Sequence, residues 1–194
     1  MRAPRIVVFA GSIRTGSYSA RLAALAAREL ALMECEPVLL SLADYPLPIY
    51  DADLEAESGV PEPARQLRDQ LASADGVFIA TPEYNAGFPP LLKNAIDWAS
   101  RVRGGEGDAF KGPVYAIGST SPGGLGGYRA SMMLRQTLAL GLNVLVLAEQ
   151  VMVAGAANAF TEDGDFKDER ALERLRAVMS TLIEQAALRA GLRA

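Results

Sequence analysis

Residues 81–101 read TPEYNAGFPPLLKNAIDWASR, and this stretch predicts the fold around which the rest of the chain is arranged. The apolar run before it, GVFIA at 76–80, is typical of a strand buried on both faces of a sheet. Pro89 and Pro90 suit the first turn of a helix, where a missing N–H group costs no hydrogen bond. The apolar residues that follow recur at helical spacing, at Leu91, Leu92, Ala95, Ile96 and Ala99. Strand, polar loop and helix in this order indicate a parallel α/β sheet with a ligand site beyond the strand's carboxyl end.

The loop between this strand and this helix carries side chains that suit a flat, hydrogen-bonding ligand. Glu83, Tyr84 and Asn85 offer a carboxylate, an aromatic ring and an amide beside several free backbone groups. The alternative is that Tyr84 packs as an aromatic residue at the edge of the core. Because polar loops run over the surface and commonly carry binding residues, we expect Tyr84 to face a ligand rather than the core.

Composition narrows the classes of function. The chain has 194 residues, half of them hydrophobic, which predicts a single domain over residues 1–194. A net charge of −4 argues against a basic nucleic-acid surface, and no apolar run of the sequence is long enough to span a bilayer. Cys35 is the only cysteine, so an intramolecular disulfide is excluded and a cytoplasmic location is expected.

The sequence contains no histidine. This removes the commonest general base, the Ser–His and Cys–His nucleophile pairs and the commonest metal ligand, so we expect no metal site. In an enzyme built from this chain, carboxylates, a tyrosine or a bound cofactor must carry the chemistry. The cofactor is the strongest of these candidates.

The order of the predicted elements indicates the topology. Apolar periodicity predicts strands at 6–10, 36–42, 76–80, 113–117 and 143–147, alternating with five helices. The intervening stretch 43–59 is expected to be a surface loop. Alternating strands and helices predict a doubly wound, flavodoxin-like three-layer α/β sandwich whose five-stranded parallel sheet has the order 2-1-3-4-5. In that order the loops after strands one, three and four converge at one edge.

The loop after the first strand, GSIRTGSYS at 11–19, resembles a phosphate-binding helix N-terminus. It adds three hydroxyl donors and one positive charge, from Ser12, Ser17, Ser19 and Arg14. Gly11 and Gly16 have the spacing of a Walker A loop, but no lysine follows Gly16, which disfavours a triphosphate site and favours a phosphomonoester pocket. The alternative is that the glycines form a tight turn and Ser17 caps the helix.

A third loop, STSPGGLGG at 119–127, is rich in glycine. Missing side chains let backbone N–H groups approach a ligand closely, although such loops also occur as mere connections. Its position after the fourth strand, beside the other two loops, favours a place in the same site.

Together these segments resemble the NADPH-dependent FMN reductase family. The matching motifs are GSxRxGS at 11–17, TPEYN at 81–85, LKNAIDW at 92–98 and GGxGG at 123–127, in the same order along most of the chain. The family has a flavodoxin-like fold and includes quinone, chromate and azo-dye reductases. The resemblance implies an enzyme that passes hydride from NADPH, or NADH, through bound FMN to a small acceptor such as a quinone, chromate or azo compound.

The resemblance also implies which residues contact the cofactor. The FMN phosphate is expected on Ser12, Arg14, Ser17, Tyr18 and Ser19. One side of the isoalloxazine ring is expected against Pro82, Glu83, Tyr84 and Asn85, and its other side against the loop with Thr120, Ser121, Gly123 and Gly124. Backbone N–H groups near Asn85 and Gly124 would stabilise the reduced ring, with no side chain as an obligatory acid or base.

The segment 129–140 predicts a subunit contact. It is apolar on more than one side of a helix, at Met132, Met133, Leu134, Leu138 and Leu140. The resemblance implies a homodimer or a homotetramer.

Two other classes of function stay open at this point. One is a non-catalytic electron carrier of the flavodoxin type, which would be expected to be more acidic than a net charge of −4. The other is a nucleotide-sensing module without redox chemistry, which leaves Tyr84 and Asn85 unexplained.

Overall fold

The computed structural model describes residues 2–33 and 35–191, and within them it contains one parallel sheet of five strands. The strands are β1 (Arg5–Ala10), β2 (Glu36–Leu40), β3 (Gly76–Pro82), β4 (Val114–Thr120) and β5 (Leu145–Val153). Their order is β2-β1-β3-β4-β5, and every neighbouring pair is parallel. The predicted topology is therefore confirmed.

Helices cover both faces of the sheet. They are α1 (Tyr18–Ala31), α2 (Ala52–Ser58), α3 (Glu62–Ala72), α4 (Pro90–Arg101), α5 (Tyr128–Gln136) and α6 (Glu169–Gly191). One half of the hydrophobic core joins α1 and α6 to the sheet, and the other half joins α3, α4 and α5 to the opposite face. This gives the flavodoxin-like three-layer arrangement. Among the described residues, no helix is both long and apolar enough to cross a bilayer.

The ends of β2, β3 and β4 differ from the sequence prediction by two to three residues, since they lie at Leu40, Pro82 and Thr120 rather than at 42, 80 and 117. Three further elements differ more. The stretch 43–59, expected to be a surface loop, contains helix α2, whose first turn Asp51 caps by accepting hydrogen bonds from the backbone N–H groups of Asp53 and Leu54. Strand β5 continues to Val153 rather than ending at 147. The fourth predicted helix changes character, because α5 ends at Gln136 and a π-helical turn, Thr137–Gly141, follows it.

The register brings three strand ends together at one edge. Ala10 of β1 pairs with Ala80 of β3, and Pro82 of β3 pairs with Thr120 of β4. Ala10 and Ala80 belong to the half of the core that holds α1 and α6. Because side chains alternate along a strand, Pro82 and Thr120 lie on that same face, which α1 and α6 cover.

Part of the LKNAIDW motif has a structural purpose. The buried Trp98 indole Nε1 and the Asn94 side-chain amide both donate to the Pro48 carbonyl oxygen, each at 2.8 Å. The side-chain oxygen of Asn94, Oδ1, in turn accepts a hydrogen bond from the Tyr50 backbone N–H at 2.8 Å. Helix α4 thus fixes the connection that leads into α2, which explains two of the residues that make this motif specific.

Candidate cofactor site

The start of α1 contains two buried hydroxyl groups. Ser17 and Ser19 are 2% and 0% exposed, and their Oγ atoms lie 2.8 Å apart. Ser17 occupies the N-cap position, yet its side chain makes no capping bond to the described backbone of the helix. The interpretation of Ser17 as a simple helix cap is therefore not supported, and both hydroxyl groups keep capacity to bind another acceptor or donor.

The electrostatics at this end of α1 favour an anion. The first backbone N–H groups of a helix have no intrahelical partner, and the helix dipole adds a partial positive charge there. Within the described chain, the first turn of α1 carries no acidic residue to neutralise that charge. Arg14 adds a full positive charge: its exposed guanidinium donates to the Thr15 carbonyl oxygen at 3.2 Å and lies 6.0 Å from the centre of the Tyr18 ring. The arrangement suits a phosphate group.

The loop after β3 forms a tight two-residue turn. The backbone N–H of Tyr84 donates to the Gly87 carbonyl at 2.8 Å, and that of Gly87 donates to the Tyr84 carbonyl at 3.0 Å. Asn85 and Ala86, between them, have φ angles of 49° and 66°. Two successive positive φ values are typical of a type I′ turn, which glycine and asparagine adopt easily but alanine does not.

Tyr84 stands at the rim of the site rather than in the core. The residue is 45% exposed, and its Oη lies 3.4 Å from the Oγ of Ser12 on the loop after β1. The alternative of a core-edge aromatic is at odds with this exposure. Tyr84 instead brings the first and second loops of the site together.

The Glu83 carboxylate is turned towards helix α5. It accepts hydrogen bonds from the backbone N–H groups of Arg129 and Ala130, at 3.1 and 3.4 Å, and from the Nε and Nη2 atoms of Arg129. Burial alone would raise the pKa of the Glu83 carboxyl, but the hydrogen bonds from Arg129 and Ala130 hold this pKa below its usual value. Its position in TPEYN led us to expect a contact with the ring, whereas its charge is engaged at the start of α5.

A sequence signal for this arrangement does exist. Helix α5 begins after Gly127, which has no side chain to accept the first N–H groups. Gly127 itself is required by packing, since its φ is +82° and an added Cβ atom would lie 2.9 Å from the Ser119 Cβ. The glycine before α5 therefore signals N–H groups without a local side-chain acceptor, which water or another part of the chain can satisfy.

The loop after β4 completes the edge. Ser119 donates through its hydroxyl to the Gly126 carbonyl at 2.8 Å, and Ser121 Oγ accepts from the Gly123 backbone N–H at 3.1 Å. A Cβ atom placed on Gly124 would meet no described atom within 4 Å, so a ligand could approach its backbone. These contacts hold the loop in shape while leaving its outer face open.

Thr120 provides the test of whether a cofactor fits. Its Oγ1 atom is buried and has no hydrogen-bond partner among the described residues, which is costly for a hydroxyl group. It lies on the sheet face that carries α1, and Ser17 and Ser19 stand at the start of that helix. A ligand that brings a polar group to Thr120 would satisfy this atom, and FMN carries polar groups along its length in addition to its phosphate.

Comparisons with known proteins agree with this geometry. The family model for NADPH-dependent FMN reductase matches residues 4–158. A quinone reductase from Pseudomonas putida is 37% identical over 164 residues, which cover 84% of this chain and 85% of the relative. An NAD(P)H-dependent FMN reductase from Pseudomonas aeruginosa is 37% identical and covers 92% of both chains. The solved structure of FerB, a flavoenzyme NAD(P)H:(acceptor) oxidoreductase from Paracoccus denitrificans, is similar with a TM-score of 0.78, 31% identity and coverage of 96% and 99%.

Proposed function

The chain belongs to the NADPH-dependent FMN reductase family, and from this premise we propose that it reduces a small quinone-type acceptor. It is an FMN-dependent NAD(P)H oxidoreductase. Because the chain belongs to an enzyme family, the two non-catalytic alternatives, the electron carrier and the sensing module, are not supported. The acceptor is the part that the family leaves open, because the names of its members cover several substrates.

The observation that carries the proposal is the open edge formed by the three loops. The phosphate end is the start of α1, with Ser12, Arg14, Ser17, Tyr18 and Ser19. We place the ring beside the backbone at Pro82, Glu83, Tyr84 and Asn85 and beside the loop with Thr120, Ser121, Gly123 and Gly124. Bound FMN would accept hydride from NAD(P)H and deliver electrons to the acceptor.

The protein's own contribution is binding, orientation and polarity. The α1 hydroxyl groups and Arg14 hold the phosphate, and the tight turn at 84–87 presents its backbone at a fixed angle. Backbone N–H groups near Asn85 and Gly124 would stabilise negative charge on the reduced ring. Tyr84 is exposed at the rim of the site, and we expect a flat acceptor to bind beside it and the residues at 86–88.

Stopped-flow mixing of the FMN-loaded protein with NADPH, and separately with NADH, tests the proposal. We expect the flavin absorbance to bleach, faster with NADPH, and to return when a small quinone is added. Steady-state kinetics should give parallel-line ping-pong plots, because the nucleotide leaves before the acceptor binds. Bleaching that a quinone cannot reverse would contradict the proposed acceptor.

We further propose that two or four copies of the chain associate through α5 and the turn after it. Met133 and Leu140 are 48% and 77% exposed within one chain. A groove of about 600 Å³ lies beside Leu140, between α4 and the π-helical turn. Apolar side chains of this size around one groove favour burial against a second copy.

Light scattering checks this assembly at micromolar concentration. The wild-type protein should have the mass of a dimer or a tetramer, and Leu140→Glu should lower it. Leu188→Glu is the matched control, because Leu188 is also exposed, at 62%, but lies on α6. If the wild-type protein were a monomer, the proposed assembly would be wrong, but the assignment as an oxidoreductase would still stand.

A cytoplasmic location also remains a proposal. The single cysteine favours it, since disulfide-dependent proteins are secreted. Fractionation of cells that express the full-length protein would test it.

A further inference from the structure

The turn at 84–87 and the start of α5 are joined at two points. On one side, the Glu83 carboxylate accepts four hydrogen bonds from Arg129 and Ala130. On the other side, a Cβ atom added to Gly87 would lie 3.4 Å from the Met133 sulfur, so the turn rests on that side chain. Arg129 and Met133 are one helical turn apart. The first two turns of α5 thus support the turn at both of its ends.

The contact to Glu83 differs from an ordinary surface ion pair. The side chain of Glu83 is 6% exposed, whereas that of Arg129 is 55% exposed. A carboxylate this far from water needs full hydrogen bonding to remain charged, and the two backbone N–H groups of α5 supply part of it. We call this arrangement of Glu83, Arg129 and Ala130 the Glu83 clasp.

The clasp connects the two loops that flank the proposed ring site. Glu83 is the first residue after β3 and directly precedes Tyr84. Residues 121–127 lead directly into α5, where Arg129 and Ala130 are the second and third residues. A change in the position of the Glu83 carboxylate would therefore move one loop relative to the other.

We propose that Glu83 is a positioning residue, whose side chain sets the separation of these two loops and does not itself contact the flavin. The inference rests on the proposed ring position. It predicts a defect confined to the ring end of the cofactor, because the clasp is made from the loops after β3 and β4, whereas the phosphate is assigned to the loop after β1. A clasp that serves only the stability of α5 would produce no such defect.

Flavins with and without the phosphate separate the two ends of the site. Riboflavin has the isoalloxazine ring but lacks the phosphate, so it reports on the ring end alone. We expect Glu83→Gln to weaken the binding of FMN and of riboflavin by the same factor, about tenfold. The visible circular dichroism of bound FMN and its midpoint potential should also change, because both depend on how the ring is held.

Two further variants keep the test decisive. Glu55→Gln is the matched control: it removes the same charge from an ion pair with Arg101, between α2 and α4, and should leave both affinities unchanged. Arg129→Gln keeps the two backbone hydrogen bonds to Glu83, so it should fold even if Glu83→Gln does not. It should give a smaller loss that is again equal for the two flavins.

Three outcomes would overturn the inference. One is a Glu83→Gln protein that unfolds more easily but binds both flavins like the wild type, with an unchanged potential. Another is a loss of FMN affinity without a loss of riboflavin affinity, which would place the effect at the phosphate. Wild-type protein that binds neither flavin would contradict the proposed function as well, so the two failures are distinguishable.

Discussion

The N-termini of α1 and α5 both lie at the carboxyl edge of this sheet, and they are used in opposite ways. The start of α1 presents the buried hydroxyl groups of Ser17 and Ser19, and its described first turn has no acidic residue. The start of α5 has its second and third N–H groups occupied by the Glu83 carboxylate from another loop. Both follow a parallel strand and a glycine-containing loop, so backbone physics alone offers an anion site at each.

From this difference we infer that an internal carboxylate directs a phosphate to α1 and away from α5. At α5 the protein supplies its own anion, which neutralises the helix dipole and fixes the neighbouring turn. At α1 the positive end remains available to a ligand. Because the start of α5 is already occupied by a carboxylate, α1 is the one of these two helix ends that we propose for the phosphate of FMN.

The largest expected effect on FMN affinity comes from placing a carboxylate at the start of α1, as Glu83 is placed at the start of α5. Ser17→Asp places a carboxylate at the N-cap of α1, where it would accept the same N–H groups that a phosphate needs. Loss of those contacts and repulsion between like charges should weaken FMN binding by about 3 kcal/mol, or about a hundredfold. Titration of FMN fluorescence measures the change.

Riboflavin is the control ligand for this variant. It lacks the phosphate, so its affinity for Ser17→Asp should stay within about threefold of the wild-type value. Equal losses for FMN and riboflavin would contradict the assignment of the phosphate to α1.

A smaller effect is expected from Arg14, which faces solvent beside the same helix. Arg14→Ala removes one charge-assisted contact to the phosphate, and solvent screening reduces its worth to about 1.5 kcal/mol, or about tenfold in FMN affinity. The protein should stay folded, because the guanidinium bonds only to the neighbouring Thr15 carbonyl among the described residues. The difference from the wild type should shrink as salt is added. A difference that high salt leaves unchanged would argue for a packing role.

The sequence indicates the arrangement at the start of α1 better than that at the start of α5, because the residues involved at α1 are close together in the sequence. Ser12, Ser17 and Ser19 lie within one loop and the first turn of the helix that follows it, so a phosphate site could be predicted from adjacent residues. Glu83 and Arg129 are 46 positions apart, and only the β3–β4 register brings their loops together. The sequence placed Glu83 in the site but could not predict which partner its carboxylate meets.

The same reasoning explains which elements of the fold were missed. The buried strands β1, β3 and β4 contain continuous apolar runs, which predicted where each strand lies, although β3 and β4 continue past those runs to Pro82 and Thr120. Strand β5 lies at the edge of the sheet, where solvent-facing residues such as Glu149 interrupt the apolar pattern beyond 147. Helix α2 buries none of its described residues, so it has no apolar stripe by which to recognise it.

A third prediction concerns the charge on Glu83 and the pH dependence of stability. The folded state lowers the pKa of Glu83 from its ordinary value of 4.5. The clasp should therefore stabilise the protein fully above this ordinary value and lose its contribution as the pH falls through the lowered pKa. We expect Glu83→Gln to cost about 1–2 kcal/mol in the free energy of unfolding at neutral pH, and less at acid pH.

Urea denaturation of the FMN-free protein over a series of pH values checks this prediction. The difference between wild type and Glu83→Gln should be constant from about pH 6 to 8 and should decrease below about pH 4. Other carboxyl groups titrate in both proteins, so the difference isolates Glu83. A difference that stays the same at acid pH would mean that shape, and not charge, holds the two loops together.

The smallest expected effect lies in the turn that the clasp supports. Ala86 has a φ of 66°, a left-handed conformation that places its Cβ atom close to the backbone. Glycine adopts this conformation without strain, so Ala86→Gly should stabilise the folded state, and the greater freedom of glycine in the unfolded chain should offset part of the gain. We expect a net increase of about 0.5–1 kcal/mol in the free energy of unfolding, measured by urea denaturation. Ala187→Gly, the same exchange at an exposed position of α6, is the control and should destabilise by about 1 kcal/mol. If both variants lose stability, the left-handed conformation of Ala86 is not strained. Contacts of its methyl group must then stabilise the turn.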